Sequence, residues 1–338
     1  MRCPRCHRGS GPVGERAGGR RSGPASYGTE DRIGPMNDIS QDPAPGLQEG
    51  LHRLAADKYH ADPCPGPSLS STLAKVLVTR SPLHAWHASP RLNPDFERRD
   101  SKVFDIGRAA HRSLLGAGDD FVEFPPDLRS PDGGIRTKEA KAKDAELRAA
   151  GLTPLKTEEI KAIEEMSGIA RRRLAELGVE IDPAFAERVA IAKIDGVWCR
   201  AMLDHVADDP AAPIFDLKTC EDASPEAVQR AIATYGYDVQ AGHYRDVFRA
   251  ATGEPDFRRF FFGFQEKKRP HEMTLVELSY ETLDIGHRKA ARARALWGSC
   301  LLNGTWPGYP VGLHTVDLPA WSAAAWFERE SVEQSLSA

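Results

Sequence analysis

VWCRAMLDHVADDPAAPIFDLKT, residues 197–219, decides how this chain folds. Two strand-prone runs flank a connection of Asp, Pro and Ala at 207–213, the punctuation of a turn or short loop. Neighbouring side chains of a strand point to opposite faces. Ile214, Asp216 and Lys218 therefore share one side, and Phe215 and Leu217 the other. Asp204 ends the preceding strand, and so short a connection could set it beside Asp216. Two carboxylates and a lysine would then converge. That donor set suits a hard octahedral cation, Mg²⁺ with Mn²⁺ as substitute, which uses one or two carboxylates and keeps waters for a phosphate. Such an ion activates water and neutralises charge at a phosphodiester, and a lysine beside it stabilises the transition state. The D-x-K spacing alone is a weak signal, because an ion pair on an exposed sheet face is spelled the same way.

Working outward, FAERVAIAKI (185–194) reads as a strand joined to the 197 strand through Asp195-Gly196, a strong hairpin signal. Downstream, Ser224-Pro225-Glu226 combines an N-cap, a first-turn proline and an acidic first turn. The helix it opens is expected to reach about residue 250, with a break possible at Gly236. Strands follow at 257–266 and 271–280, then a helix over 281–303. Upstream, SLSSTLAKVLVTRSPLHAW (68–86) predicts a Ser-capped helix ending before Pro82. FDIGRAAHRSLLG (104–116) predicts another, closed by Gly116. Residues 136–178, dense in Lys, Arg, Glu and Ala and broken by GLTPL at 151–155, predict a charged helical hairpin. The order implies an α/β (α+β) fold, a mixed central sheet flanked by helices. Residues 1–66 are expected to be a disordered or poorly ordered leader, 67–305 the folded domain with its helical insert at 136–178, and 306–338 a C-terminal tail. Met36 would serve as a natural start.

The six cysteines offer one C-x-x-C, Cys3 and Cys6, without a second pair at zinc spacing. They also lack the spacing of an iron–sulfur quartet. No window approaches the ~18 apolar residues of a membrane span, so a cytoplasmic protein is expected. The net charge of −4 argues mildly against nucleic acid. Residues 1–35 hold seven arginines against three acids, which leaves the rest near −8. Binding depends on local patches rather than totals.

CRAMLDHV, PIFDLKT and YGYDVQAGHY, in that order, resemble the nuclease core of the RecE family in the PD-(D/E)XK superfamily, and the likeness runs from about 68 to 300. The family's Asp after R-x-x-x-D, its D-x-K and its Q-x-x-x-Y fall on Asp204, on Asp216 with Lys218, and on Gln240 with Tyr244. GRAAH resembles the family's G-x-x-x-H helix, which places a metal-binding histidine at His111. The resemblance thus implies a PD-(D/E)XK, restriction-endonuclease-like core. His111, Asp204, Asp216 and the Leu217 backbone carbonyl are expected to hold the metal, Lys218 to act at the attacking water or transition state, and Gln240 and Tyr244 to support them. Glu187 occupies a place where RecB-like nucleases can carry an acid, and ranks below the rest. A packed core histidine, a helix-surface pair and a solvent glutamate are the respective alternatives.

The implied activity is a Mg²⁺-dependent exodeoxyribonuclease that degrades one strand of linear duplex DNA, 5′ to 3′, in phage-type recombination. It would work with a single-strand annealing partner and as a homo-oligomer. Candidate DNA contacts are Arg108, Arg112, Arg200, Arg258, Arg259, Lys267, Lys268 and Arg269, with Trp86, Tyr235 or Tyr237 available for stacking. The alternatives are a single-strand-end repair or CRISPR-associated nuclease, and a DNA-binding relative without turnover.

Overall fold

The structure is a computed structural model and describes residues 46–97 and 102–337. The expected leader at 1–35 lies outside these residues. The described chain begins with β1 (Gly50–Arg53) and α1 (Ala56–His60), followed by α2 (Ser71–Thr79) and α3 (Pro82–His87). Ser70 caps α2 by accepting from the Leu73 amide, and Ser81 caps α3 with Pro82 in its first turn, so the Ser and Pro positions set both starts. α4 (Asp105–Leu115) ends at Gly116, whose φ of 70° is the left-handed C-terminal cap. Then come β2 (Phe121–Glu123), α5 (Lys138–Ala149), β3 (Thr153–Leu155) and α6 (Thr157–Glu176).

The second half holds β4 (Ala186–Ile194), β5 (Val197–His205), β6 (Ile214–Cys220), α7 (Pro225–Tyr235), α8 (Tyr237–Thr252), β7 (Phe260–Glu266), β8 (Met273–Glu277), α9 (Tyr280–Asn303) and α10 (Ala320–Ser337). Asp195 and Gly196 both take positive φ, 51° and 81°, the two-residue turn that matches strand twist. Gly236, at φ 63°, ends α7 and starts α8, so the break falls where the glycine forecast it.

Six strands form one sheet in the order β1–β4–β5–β6–β7–β8. β6 runs parallel to β7, and the other neighbours are antiparallel. The expected mixed sheet flanked by helices is therefore present. On one face α4 and α6 bury Leu114, Leu115, Ala170 and Leu174 against Phe215, Leu217, Phe261 and Met273. On the other, α8 lies over β4 and β5 and is itself covered by α9.

Three expectations need correction. Gly50–Arg53, inside the supposed poorly ordered 1–66, is the edge strand paired with Arg188–Ile191; four residues without β-branched side chains give no strand signal. GLTPL is more than a helix break, since Thr153–Leu155 pairs in parallel with Phe121–Glu123 in a separate two-stranded sheet. The tail at 306–338 contains the helix α10, and Trp306 is buried with its ring 5.0 Å from that of Trp297.

A buried knot ties the start of the domain to the sheet. Arg200 on β5 meets Asp62 at 3.1 Å and donates to the Ser68 carbonyl at 2.9 Å, while Asp62 accepts from the Ser68 amide and hydroxyl. The α8–α9 crossing is closer still. A Cβ on Gly286 would stand 2.2 Å from the Asp238 carbonyl oxygen, and one on Gly242 would stand 2.5 Å from the Gly286 carbonyl carbon. Backbone cannot yield as a side-chain tip can. Gly286→Ala is accordingly expected to cost about 1–3 kcal/mol by overpacking, read as a lowered denaturation midpoint in urea. An unchanged midpoint would show that the crossing is not tight.

Candidate active site

β6 is paired with β7 along its whole length, from Ile214–Phe260 to Cys220–Glu266, but with β5 only at His205–Phe215. The register continued by one step sets Asp204 opposite Asp216, and there the ladder stops. Past that point the β5-facing edge of β6 has lost its strand partner, and buried backbone groups need others. The Leu217 amide finds one in Asp204, donating to Oδ2 at 2.7 Å, and the Leu217 carbonyl finds another in His111 Nε2 at 3.0 Å. His111 Nδ1 stands 3.5 Å from the same Asp204 Oδ2. Asp204 and His111 therefore take both backbone groups of Leu217, the N–H and the C=O, that the parted strand leaves without a partner.

The G-x-x-x-H spacing on α4 follows from this contact. Gly107 and His111 lie one turn apart and face β6. A Cβ on Gly107 would come within 3.1 Å of Thr219 Oγ1, so the glycine lets α4 lie close enough for His111 to reach a β6 carbonyl.

On the opposite face of β6, Asp216 is 1% exposed, and its carboxylate is shared between two groups. Gln240 Nε2 on α8 donates to Oδ2 at 2.6 Å, and the Lys218 ammonium pairs with Oδ1. Burial and the neighbouring Asp204 together raise the Asp216 carboxyl to about 6, against the opposing pull of Lys218. Lys218 is moved the other way: its surroundings of Asp216 and Asp204 outweigh desolvation and hold its ammonium protonated above the ordinary lysine range. The ammonium also lies 5.1 Å from the Tyr237 ring and 5.8 Å from the Phe262 ring.

Asp204, Asp216, Lys218, Gln240, His111 and the Leu217 carbonyl are thus gathered where β5 and β6 part. Glu187, ranked lowest from sequence, joins them. It lies between the pairs Ala186–His205 and Arg188–Leu203, hence across from Asp204, with a positive φ of 48°. Burial and then Asp204 raise its carboxyl, while His111 pulls it down. Tyr244 faces the same way as Gln240 but stops short of Asp216. Its ring packs 6.2 Å from Phe260, and burial raises its hydroxyl well above the ordinary tyrosine range.

Among the described residues no group of three or more His, Cys, Asp or Glu side chains stands ready as a metal cage. Magnesium does not require one, since it takes few protein ligands and retains waters. Two carboxylates set opposite one another and the Leu217 carbonyl on the same parted edge fit that preference, with Asp216 Oδ1 at present held by the Lys218 ammonium.

The expected DNA contacts all stand in ion pairs. Arg200 and Arg258 are buried in structural pairs with Asp62 and Glu254. Arg108, Arg112, Arg259 and Arg269 are paired with Asp105, Asp120, Glu277 and Glu165, and Lys267 and Lys268 both with Glu221. Trp86 is buried and Tyr237 packs on Phe262 and Phe264, so of the three aromatics only Tyr235 is exposed. Lys75, which the sequence reading passed over, sits beside Tyr237. Its one signal is a lysine inside the apolar run LAKVLV of a helix.

Comparison with solved structures finds the fold in a protein of Eubacterium rectale described as a candidate exonuclease, with TM-score 0.50, 14% identity, 79% of this chain and 96% of that one covered. At this identity the likeness is one of fold alone. A phage-related exonuclease of Haemophilus somnus (TM-score 0.28, 11% identity, 62% and 92% covered) and an alkaline exonuclease of Laribacter hongkongensis (0.25, 14%, 60% and 96%) match more loosely. No curated protein matches. The family profile described as a PDDEXK-like domain of unknown function, DUF3799, matches residues 71–313, from the first turn of α2 to beyond α9. That span takes in every residue of the cluster at the parting of β5 and β6, and the chain belongs to this PDDEXK-like family.

Proposed function

We propose that the chain is a Mg²⁺-dependent exodeoxyribonuclease acting on the ends of linear duplex DNA. The observation that carries the reading is the placement of Asp204 opposite Asp216 where the strands part, with the Leu217 carbonyl on the same edge and Lys218 on Asp216. Those two carboxylates and that carbonyl would hold the ion, with His111 and Glu187 at its flank. Mn²⁺ would substitute. When bound, the ion neutralises charge on the scissile phosphate and acidifies water.

The chain's own groups supply the rest. Gln240 holds Asp216 in one rotamer through Oδ2, so the carboxylate is aimed before any ligand arrives. Lys218, held protonated by its surroundings, keeps a positive charge beside the reacting phosphate and orients the attacking water. His111 holds the Leu217 carbonyl and Asp204 in their places. Tyr244 packs on Phe260 of β7 and so braces the helix that carries Gln240.

Action at ends rather than within duplexes is supported by the RecE-like motif order. Digestion 5′ to 3′, a role in phage-type recombination, an annealing partner and a homo-oligomeric state belong to the same reading. No described helix is long and apolar enough to cross a membrane, and a cytoplasmic location completes the proposal.

Digestion of linear duplex DNA labelled at either the 5′ or the 3′ end tests it. Wild type with Mg²⁺ is expected to release 5′ label, and EDTA to abolish release. Lys218→Ala should slow it by about 100-fold or more, with DNA binding retained. Release of 3′ label would keep the site and overturn the polarity. Binding without cleavage of any linear, nicked or single-stranded DNA would mark a non-catalytic relative.

Asp216 also sets a pH dependence. Its carboxyl, raised to about 6, must lose its proton to bind the ion. At sub-saturating Mg²⁺, activity should therefore fall as pH drops through about 6. More Mg²⁺ should shift the midpoint downward, because ion and proton compete for one carboxylate. A midpoint indifferent to Mg²⁺ would remove Asp216 from the ion's ligands.

A further inference from the structure

Lys75 lies on α2 inside the apolar run LAKVLV, half-buried, with its Nζ 5.4 Å from the centroid of the Tyr237 ring. Lys218 Nζ lies 5.1 Å from the same ring, so Tyr237 brings together two ammonium groups from different elements. The stem of Lys75 is also guided. It passes over Gly236, where a Cβ would come within 3.0 Å of the lysine Cδ and 3.2 Å of its Cγ. Glycine at the α7–α8 joint thus serves both the left-handed turn and the passage of this side chain.

The acids near Lys75 are already engaged. Asp216 is held by Lys218 and Gln240, and Asp238 pairs with Lys289 at 2.6 Å. Among the described residues no carboxylate stands within ion-pair distance of Lys75. Its charge rests on the face of one tyrosine, a modest contribution beside what a carboxylate would give. Burial and the repulsion of Lys218 lower the amine to about 8. A guided, half-buried cation beside a carboxylate centre, without an anion of its own, is an arrangement that a ligand anion completes.

We propose that Lys75, which with Lys218 borders the Tyr237 ring, holds a phosphate of the nucleic-acid strand adjoining the scissile phosphate. The assignment rests on the nuclease reading above. Lys75 fixes where along the strand the cut falls by gripping the neighbouring unit, whereas Lys218 acts at the cut itself. It makes no bond and transfers no proton.

The experiment compares wild type, Lys75→Met and Lys75→Arg in the full chain. Methionine keeps the stem and removes the charge, and arginine keeps the charge. Binding of an end-labelled duplex is measured in EDTA from low to moderate salt, and steady-state cleavage with Mg²⁺. Lys75→Met should weaken binding about tenfold and flatten the log Kd against log salt slope by about one unit, the loss of one phosphate contact. KM should rise more than kcat falls, and Lys75→Arg should restore both slope and KM. A purely structural lysine would leave the salt slope untouched, so an unchanged slope in well-folded Lys75→Met overturns the assignment. If that variant does not fold, Lys75→Arg and Lys75→Gln take its place, and equal slopes in both overturn it. Wild type that neither binds nor cleaves DNA overturns the nuclease reading itself, a result distinct from wild type that binds with a variant that matches it.

Discussion

The separation of β5 from β6 after a single paired residue is the constraint on which the rest depends. A sheet that stayed zipped would bury its strand edges in backbone hydrogen bonds and leave nothing for side chains to do there. Because the strands part, the Leu217 N–H and C=O must be satisfied from elsewhere, and an aspartate and a histidine do so. Their positions are dictated by backbone geometry before any chemistry is considered. β7 holds β6 rigidly from the other side, so the gap has one fixed wall.

Two helices convert that gap into an electrostatic site. α4 comes close on one face through Gly107, and α8 on the other through Gln240. α8 is in turn pressed into place by α9 at the glycine crossing of Gly242 and Gly286. Burial then does opposite things to the two charges it encloses. It pushes the Asp216 carboxyl up, while the surrounding acids push the Lys218 ammonium further into its charged form.

Much of this was legible in the sequence because strand alternation and hairpin punctuation are local. Asp195-Gly196 sets the register of β4 against β5, and that register carries Glu187 opposite Asp204. The alternation in IFDLKT separates Asp216 and Lys218 from Phe215 and Leu217. What stayed hidden is non-local. Arg200 looked like a cation free for DNA because Asp62 and Ser68, its true partners, lie far away in sequence. Arg259 and Arg269 likewise pair with acids far along the chain, Glu277 and Glu165, whereas Arg108 and Arg258 pair within four residues, with Asp105 and Glu254. β1 and β3 are too short to show a period. Lys75 is a single charge in an apolar helix, and only the fold shows that Gly236 and Tyr237 meet it.

The open backbone edge at Leu217 has a bearing on evolution as well as chemistry. An open strand edge invites another strand to add, within the molecule or from a neighbour, and Asp204 with His111 blocks that edge. Both residues would be under selection to stay even in a descendant that had lost all turnover, since the fold needs its edge closed. Lys218 has no such second duty toward the backbone. In comparing members of the family, the lysine rather than the aspartate or histidine is therefore the residue whose loss would mark a lineage that has given up catalysis.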